Sequence, residues 1–400
     1  MAISEPYLPQ DIFAPAGSNL STGSRALIAP PRYVQGKGVM ENLGRYLSLV
    51  PSTRAAVLMS AGGMKRLGDQ ILSGLHASGI ETIEVTFQGE CSREEAERIV
   101  AVVRETSPAV DSLVAIGGGK CIDTGKCAAA RLGVPVVICP TLASNDAPCS
   151  ALSAMYLPNG VFEGIEFFPH SPALVAVDTQ IVADAPVRYL VAGMGDALST
   201  WYEARTCMEN PQGLNPLGTR PTLAANALGE LCARILYEHG ETAAAAVQRR
   251  EVTDALERVV EANTLLSGIG FESGGLAVSH AVAQGLTVIP RCHQEYLHGE
   301  MVAIGLLTQL VIEKRDAEAR QVAEFFAKVG LPIHLEQIGL SPRDTAPLRP
   351  VMETAMMLPI VLNEPFAVTE ASLLEACQQA HALGKDVAGR VGDAAYRGLH

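Results

Sequence analysis

The chain has 400 residues, 48% of them hydrophobic and 18% charged, which excludes whole-chain disorder and describes a folded protein long enough to divide into two domains. A formal net charge of -13 without any block of Lys and Arg excludes nucleic acid and anionic membrane as partners, because both demand concentrated positive charge. No apolar run reaches the roughly 18 residues of a membrane span, and the opening residues lack the basic start and apolar core of a secretory signal. The expectation is a cytoplasmic protein that acts on small molecules. Nine cysteines, an odd number without CxxC spacing, describe neither a disulfide framework nor a thiolate zinc site, so they read as reduced, buried thiols.

Residues 1–26, rich in Ser, Pro, Gly and Ala without periodicity, read as a mobile arm or a segment ordered by a neighbouring subunit. Short apolar runs at 55–59, 82–87, 112–116 and 135–139 read as strands separated by amphipathic helices. Strand and helix alternating at this spacing predicts a parallel sheet with helices on both faces and a ligand at the carboxyl ends of its strands. Beyond Pro186 the strand signals stop, and helical patterns rich in Ala and Leu continue to the end. The reading is therefore an α/β nucleotide-binding domain over 27–185 followed by an all-helical domain over 186–400.

The run 112–116 leads directly into Gly117, Gly118, Gly119 and Lys120, and a helical pattern follows. Glycines let backbone N–H groups approach a diphosphate, and the helix start directs further donors at the same anion. Three glycines also make an ordinary tight turn, and this one is neither GxGxxG nor a Walker loop. Downstream, the polar loop 140–150 (PTLASNDAPCS) follows the next strand at the same edge of the sheet and offers hydroxyls and a carboxylate to the cleft, although ordinary turns use the same residues.

In the second half, Asp196 stands among small and apolar residues where a helix begins, and His280 and His298 flank apolar segments. Each has an ordinary role open to it, the Asp as a cap and the histidines as satisfied core residues. Together, one carboxylate and two imidazoles suit zinc with a fourth position left for water or substrate, and the same set holds iron(II). His293 lies close enough to His298 to be considered with it.

Four blocks, GGGKCIDTGK at 117–126, PTLASNDAPCSALSAMY at 140–156, GMGDALSTWYEAR at 193–205 and GLAVSHAVAQGLT with HGEMVAIGLLTQLV at 275–311, resemble the glycerol dehydrogenases, in the order that family has them. The resemblance implies a Rossmann-like domain joined to a helical metal-binding domain, the fold of dehydroquinate synthase, and NAD-linked oxidation of glycerol or a related vicinal diol to the hydroxyketone, together with the reverse reduction. It further implies a metal held by Asp196, His280 and His298, diphosphate binding at Gly117, Gly118, Gly119 and Lys120, and cofactor contacts from Thr141, Ser144, Ser150, Leu152 and Tyr156. Asp146 is implied to contact the polyol and is the candidate for positioning it and carrying its proton. Iron-dependent relatives carry another His four residues after the Asp, where this chain has Thr200; zinc is favoured. A homo-oligomer, an octamer, is implied as well.

The chain departs from the family pattern in four places. Ala61 stands where an Asp usually accepts from the adenosine ribose, with Lys65 and Arg66 nearby, which weakens the preference for NAD over NADP; NAD is still favoured and NADP is not excluded. Cys121 replaces a Thr, Ala283 and Gln284 replace a His-Asn pair, and the N-terminal arm is additional. The rival readings are a dehydroquinate synthase-like lyase, which would produce no net NADH, a glycerol-1-phosphate dehydrogenase, which needs cations for the phosphate, and a non-catalytic dinucleotide sensor.

Overall fold

The computed structural model describes residues 7–14, 23–158 and 160–400. Its first half is built on a six-stranded, all-parallel sheet of β1 (Tyr33–Gly36), β2 (Arg54–Ser60), β3 (Glu81–Phe87), β4 (Ser112–Gly117), β5 (Val136–Pro140) and β8 (Leu174–Asp178), in the order β1-β8-β5-β4-β2-β3. An antiparallel hairpin of β6 (Leu152–Tyr156) and β7 (Phe162–Phe167) stands beside it. From Val187 onward every element of three residues or more is helical. The α/β fold class with a helical second half is the one expected.

The inner strands are continuous apolar runs because crossover helices cover both faces of a parallel sheet. Side chains alternate between those faces. Ala55, Val57 and Met59 pack with Leu43, Ile71, Leu75, Val114 and Ile116 on one side. Ala56 and Leu58 pack with Ile99, Leu113, Ala115 and Ile122 on the other. This second core continues without a break into the helical half through Leu190, Met194, Leu236, Leu307 and Phe326, so the two halves share one apolar body along their junction.

Beyond the four predicted strands, the sheet contains β1 and β8, and the hairpin adds β6 and β7. All nine cysteines are buried and unpaired, and among the described residues no helix is long and apolar enough to cross a membrane. Of the arm read over 1–26, residues 1–6 and 15–22 lie outside the described residues. The remainder rests on the chain's own helical half rather than standing apart from it. A short helix, Pro9–Phe13, brings Gln10 against Gly218, and Arg25 pairs with Arg220 in an isolated bridge.

From β2 the chain winds outward to β3, then crosses back to β4 and proceeds the other way through β5 to β8. The winding reverses between β2 and β4, and a crevice opens at the carboxyl ends of strands where it does. The glycine turn after β4 lies at that crevice.

Candidate metal and dinucleotide site

The glycine turn follows from close packing at three consecutive positions. A Cβ on Gly117 would stand 2.7 Å from the Cβ of Cys121, one on Gly118 would stand 3.2 Å from Leu142 Cδ1, and one on Gly119 would stand 2.5 Å from Asn145 Nδ2. A side chain at Gly117 would collide with the helix that follows, and one at Gly118 or Gly119 would press on the 140–150 loop. Thr141 closes the contact by donating its N–H to the Gly117 carbonyl (3.0 Å). Gly118 is the N-cap of the helix Gly119–Leu132, whose first amides face the crevice as an anion-binding end. Lys120 reaches Glu90 (2.7 Å).

The loop is held from below by Lys126, a fully buried lysine in that helix. Its ammonium donates to the carbonyls of Ala147 and Leu152 (both 2.7 Å) and to Ser150 Oγ (3.1 Å), and it pairs with Asp123 (2.9 Å). The Ser150 hydroxyl, expected in the cleft, is thus turned inward. Thr141 and Ser144 remain half-buried at the strand ends. Leu152 opens β6, and Tyr156 closes it with its ring against Phe162 and His293.

At its other end the loop meets the acidic centre. Asp196, fully buried in the helix Val187–Glu209, accepts the Asp146 N–H on Oδ2 (3.1 Å). His280, in the helix Val278–Leu286, and His298, the first residue of His298–Ile312, each bring Nε2 to 3.3 Å from Asp196 Oδ1. Their close approach needs glycine: a Cβ on Gly299 would lie 1.8 Å from the Ala192 carbonyl, and one on Gly195 would lie 2.5 Å from that of Gly299. Glu300 fixes the start of the His298 helix, accepting from the Leu297 N–H (2.8 Å) and from Arg188 through both oxygens (2.7 and 2.8 Å).

One donor atom from each of Asp196, His280 and His298 lies within 4.8 Å of the other two. Asp196 Oδ1 is buried without a hydrogen bond, which is costly unless a cation completes it. Burial opposes ionisation of Asp196, yet the two imidazoles beside it, His298 foremost, outweigh it and hold the carboxyl well below its ordinary range. The donor set and the orphaned oxygen fit a divalent metal ion. Side-chain exposure rises from 0% at Asp196 to 11% at His280 and 34% at His298, so the centre opens to the cleft on the His298 side. His293 is not a member of this group.

Glu203 was missed in the sequence. It is fully buried, two helical turns beyond Asp196 on the same face, and that seven-residue spacing was the available signal. Its carboxylate accepts from the Ala277 and His280 N–H groups (2.7 and 3.0 Å) and meets His280 Nδ1 at 2.5 Å. A proton held at Nδ1 leaves the Nε2 lone pair aimed at the centre. Replacing Glu203 with Gln is expected to weaken divalent-metal binding about 10- to 100-fold, read with added zinc by competition with a chromophoric chelator. A dissociation constant within twofold of the original would remove Glu203 from this role.

Asp146 is 8% exposed. Its Oδ2 accepts from Ser267 (3.1 Å), whose hydroxyl bonds Thr200 (2.8 Å) in the interior. Burial first, and then the charge of Asp196, push the Asp146 carboxyl well above the ordinary range.

Residues 30–179 match the family described as iron-containing alcohol dehydrogenase. A glycerol dehydrogenase of Thermotoga maritima is 45% identical over 360 residues, 90% of this chain and 97% of that one. The structure of a probable glycerol dehydrogenase from Sinorhizobium meliloti superimposes with a TM-score of 0.83 at 38% identity, covering 91% of this chain and all of that one. That of the glycerol dehydrogenase from Schizosaccharomyces pombe gives 0.86 at 31% identity, covering 92% and 93%.

Proposed function

The chain belongs to the iron-containing alcohol dehydrogenase family, beside its glycerol dehydrogenases, and from that premise we propose that it oxidises glycerol or a related small vicinal diol to the hydroxyketone, with NAD as hydride acceptor and zinc as the metal, and catalyses the reverse reduction. The observation that carries this reading is the 140–150 loop, which touches the glycine turn through Thr141 and Asn145 and the acidic centre through Asp146. A single short segment thus joins a diphosphate cradle to a three-donor metal site.

Asp196, His280 and His298 hold the metal, and Gly117 to Lys120 with Thr141 and Ser144 hold the dinucleotide. Zinc is preferred to iron because Thr200, one turn after Asp196, is buried with its hydroxyl bonded to Ser267, leaving three protein donors and an open position. A metal held by these three residues would supply Lewis acidity toward the alcohol oxygen, and a dinucleotide held at the glycine turn would supply the hydride acceptor. The chain orients the diol and keeps water from the reacting carbon. Asp146, anchored from behind by Ser267, faces the substrate and takes its hydroxyl proton at the carboxylate. We place the enzyme in the cytoplasm as a homo-oligomer, whose contacts would cover Leu223, Met357 and Leu362, each more than three-quarters exposed.

The direct test follows nicotinamide absorbance with glycerol and NAD on chelator-treated protein, before and after zinc is restored. Zinc-restored NADH formation is expected. Full zinc occupancy with no net NADH from glycerol, propane-1,2-diol or butane-2,3-diol would sink the proposal and favour the lyase. Asp146→Asn is expected to lower kcat about 100-fold and to remove one ionisation from its pH profile; an unchanged rate and profile would exclude the proton-transfer role.

A further inference from the structure

We infer that the adenosine end of the dinucleotide site accepts a 2′-phosphate, so that NADP is bound as well as NAD. The inference rests on the dinucleotide reading above and concerns the strand beside the glycine turn. In a parallel sheet, the strand neighbouring that turn ends at the adenosine ribose, where a carboxylate that accepts from the 2′-hydroxyl also repels a phosphate. Here the neighbour is β2. Its register runs from Ala55 opposite Ser112 to Met59 opposite Ile116, which brings the strand end at Ser60, and Ala61 where the next helix begins, to the level of the glycine turn.

The carboxylate position is occupied by the methyl group of Ala61, which is exposed. Ser60 caps the following turn by accepting from the Gly63 N–H (3.1 Å). Two acidic groups bordering this end are engaged elsewhere. Glu90 pairs with Lys120. Glu95 accepts from the Gln88 N–H and from Arg98. Asp69, three residues past Arg66, forms no ion pair with it.

Positive charge, by contrast, is uncommitted here. Lys65 and Arg66 lie five and six residues past the strand end, both are exposed, and neither side chain has an ion pair or hydrogen bond among the described residues. The guanidinium of Arg66 reaches back one helical turn toward Ala61, with Nη1 3.4 Å from where a Gly62 Cβ would stand. In a chain of net charge -13, two unpaired cations beside a missing carboxylate are not part of a general basic surface. A planar, forked guanidinium with an ammonium next to it suits a phosphate dianion.

The test measures dissociation constants of NADPH and NADH by fluorescence titration of the zinc-loaded full chain without diol. The expected result is NADPH binding within about tenfold of NADH, weakened more than NADH by added salt because the extra contact is a screened charge pair. Ala61→Asp, and separately Lys65→Ser with Arg66→Ser, should each raise the NADPH-to-NADH ratio of dissociation constants about tenfold. Both changes lie at exposed positions, and thermal unfolding checks that the variants fold. NADPH binding more than about 100-fold weaker than NADH, or a ratio that neither variant moves, overturns the inference and leaves the NAD reading standing. Failure of both nucleotides to bind overturns the dinucleotide reading and this inference with it.

Discussion

Asp196→Asn is expected to leave the protein folded, strip it of zinc and lower kcat/KM for glycerol by about a thousandfold or more, since the lost Lewis acid contributes several kcal/mol to the transition state. Asn keeps the volume of a fully buried side chain and still accepts the Asp146 N–H at one oxygen, so the packing of three helices around it survives. What it removes is the negative charge on which both imidazoles converge at 3.3 Å. His280 and His298 alone offer two neutral donors to a cation that needs at least one more. Metal content by mass spectrometry, thermal unfolding and turnover on the same sample separate the possibilities. A folded variant with one zinc per chain and turnover within tenfold of the original would mean that the metal is held elsewhere.

Lys126→Met is expected to cost about 3–5 kcal/mol of folding stability, the usual result of removing one partner from a buried ion pair. The Asp123 carboxyl is already raised by burial, with Lys126 working against that rise. Without the ammonium it must take a proton or remain as an unpaired charge. Three acceptors on the 147–152 segment lose their donor at the same time. The measurement is urea unfolding at neutral pH, read as the shift in midpoint at constant slope. A loss under 1 kcal/mol would show that the segment holds its shape without Lys126. Nucleotide binding should weaken too, because the loop beside the glycine turn is the part released.

How much of this was legible beforehand differs by element. The strands at 54–60, 81–87, 112–117 and 136–140 could be read because apolar runs are what a doubly covered parallel sheet requires. β8, with the sequence LVAVD, carries the same apolar signal at the same length as β5 and was equally legible. β1 is a four-residue edge strand, half-buried throughout, and has no apolar run to find. The β6–β7 hairpin mixes Ser, Glu and Gly with its apolar residues because one of its sides faces outward.

At the site, the glycine turn and the three candidate ligands stood out by residue type, and spacing could not show that residues 84 and 102 positions after Asp196 return to it. Glu203 and Lys126 escaped because a charged residue inside a helical pattern ordinarily faces solvent. Their burial depends on partners that only tertiary packing supplies, the His280 ring for one and the Asp146 loop for the other.

The placement of β1 has a consequence for the order in which the molecule can be assembled. Among the described residues β1 is the first strand, and it pairs there only with β8, about 140 residues later. Its side chains reach further still: Tyr33 Oη meets Thr264 Oγ1 at 2.7 Å, and Gln35 Nε2 donates to the Glu257 carboxylate (2.6 Å) and carbonyl (2.9 Å). During synthesis, at about 5–20 residues per second, β2 to β5 can pair while the first-made strand has nothing to join. Its seat is complete only after more than 200 further residues have been added. β1 therefore closes the structure instead of nucleating it, and during that interval the free edge of β8 stands open to a strand from another chain.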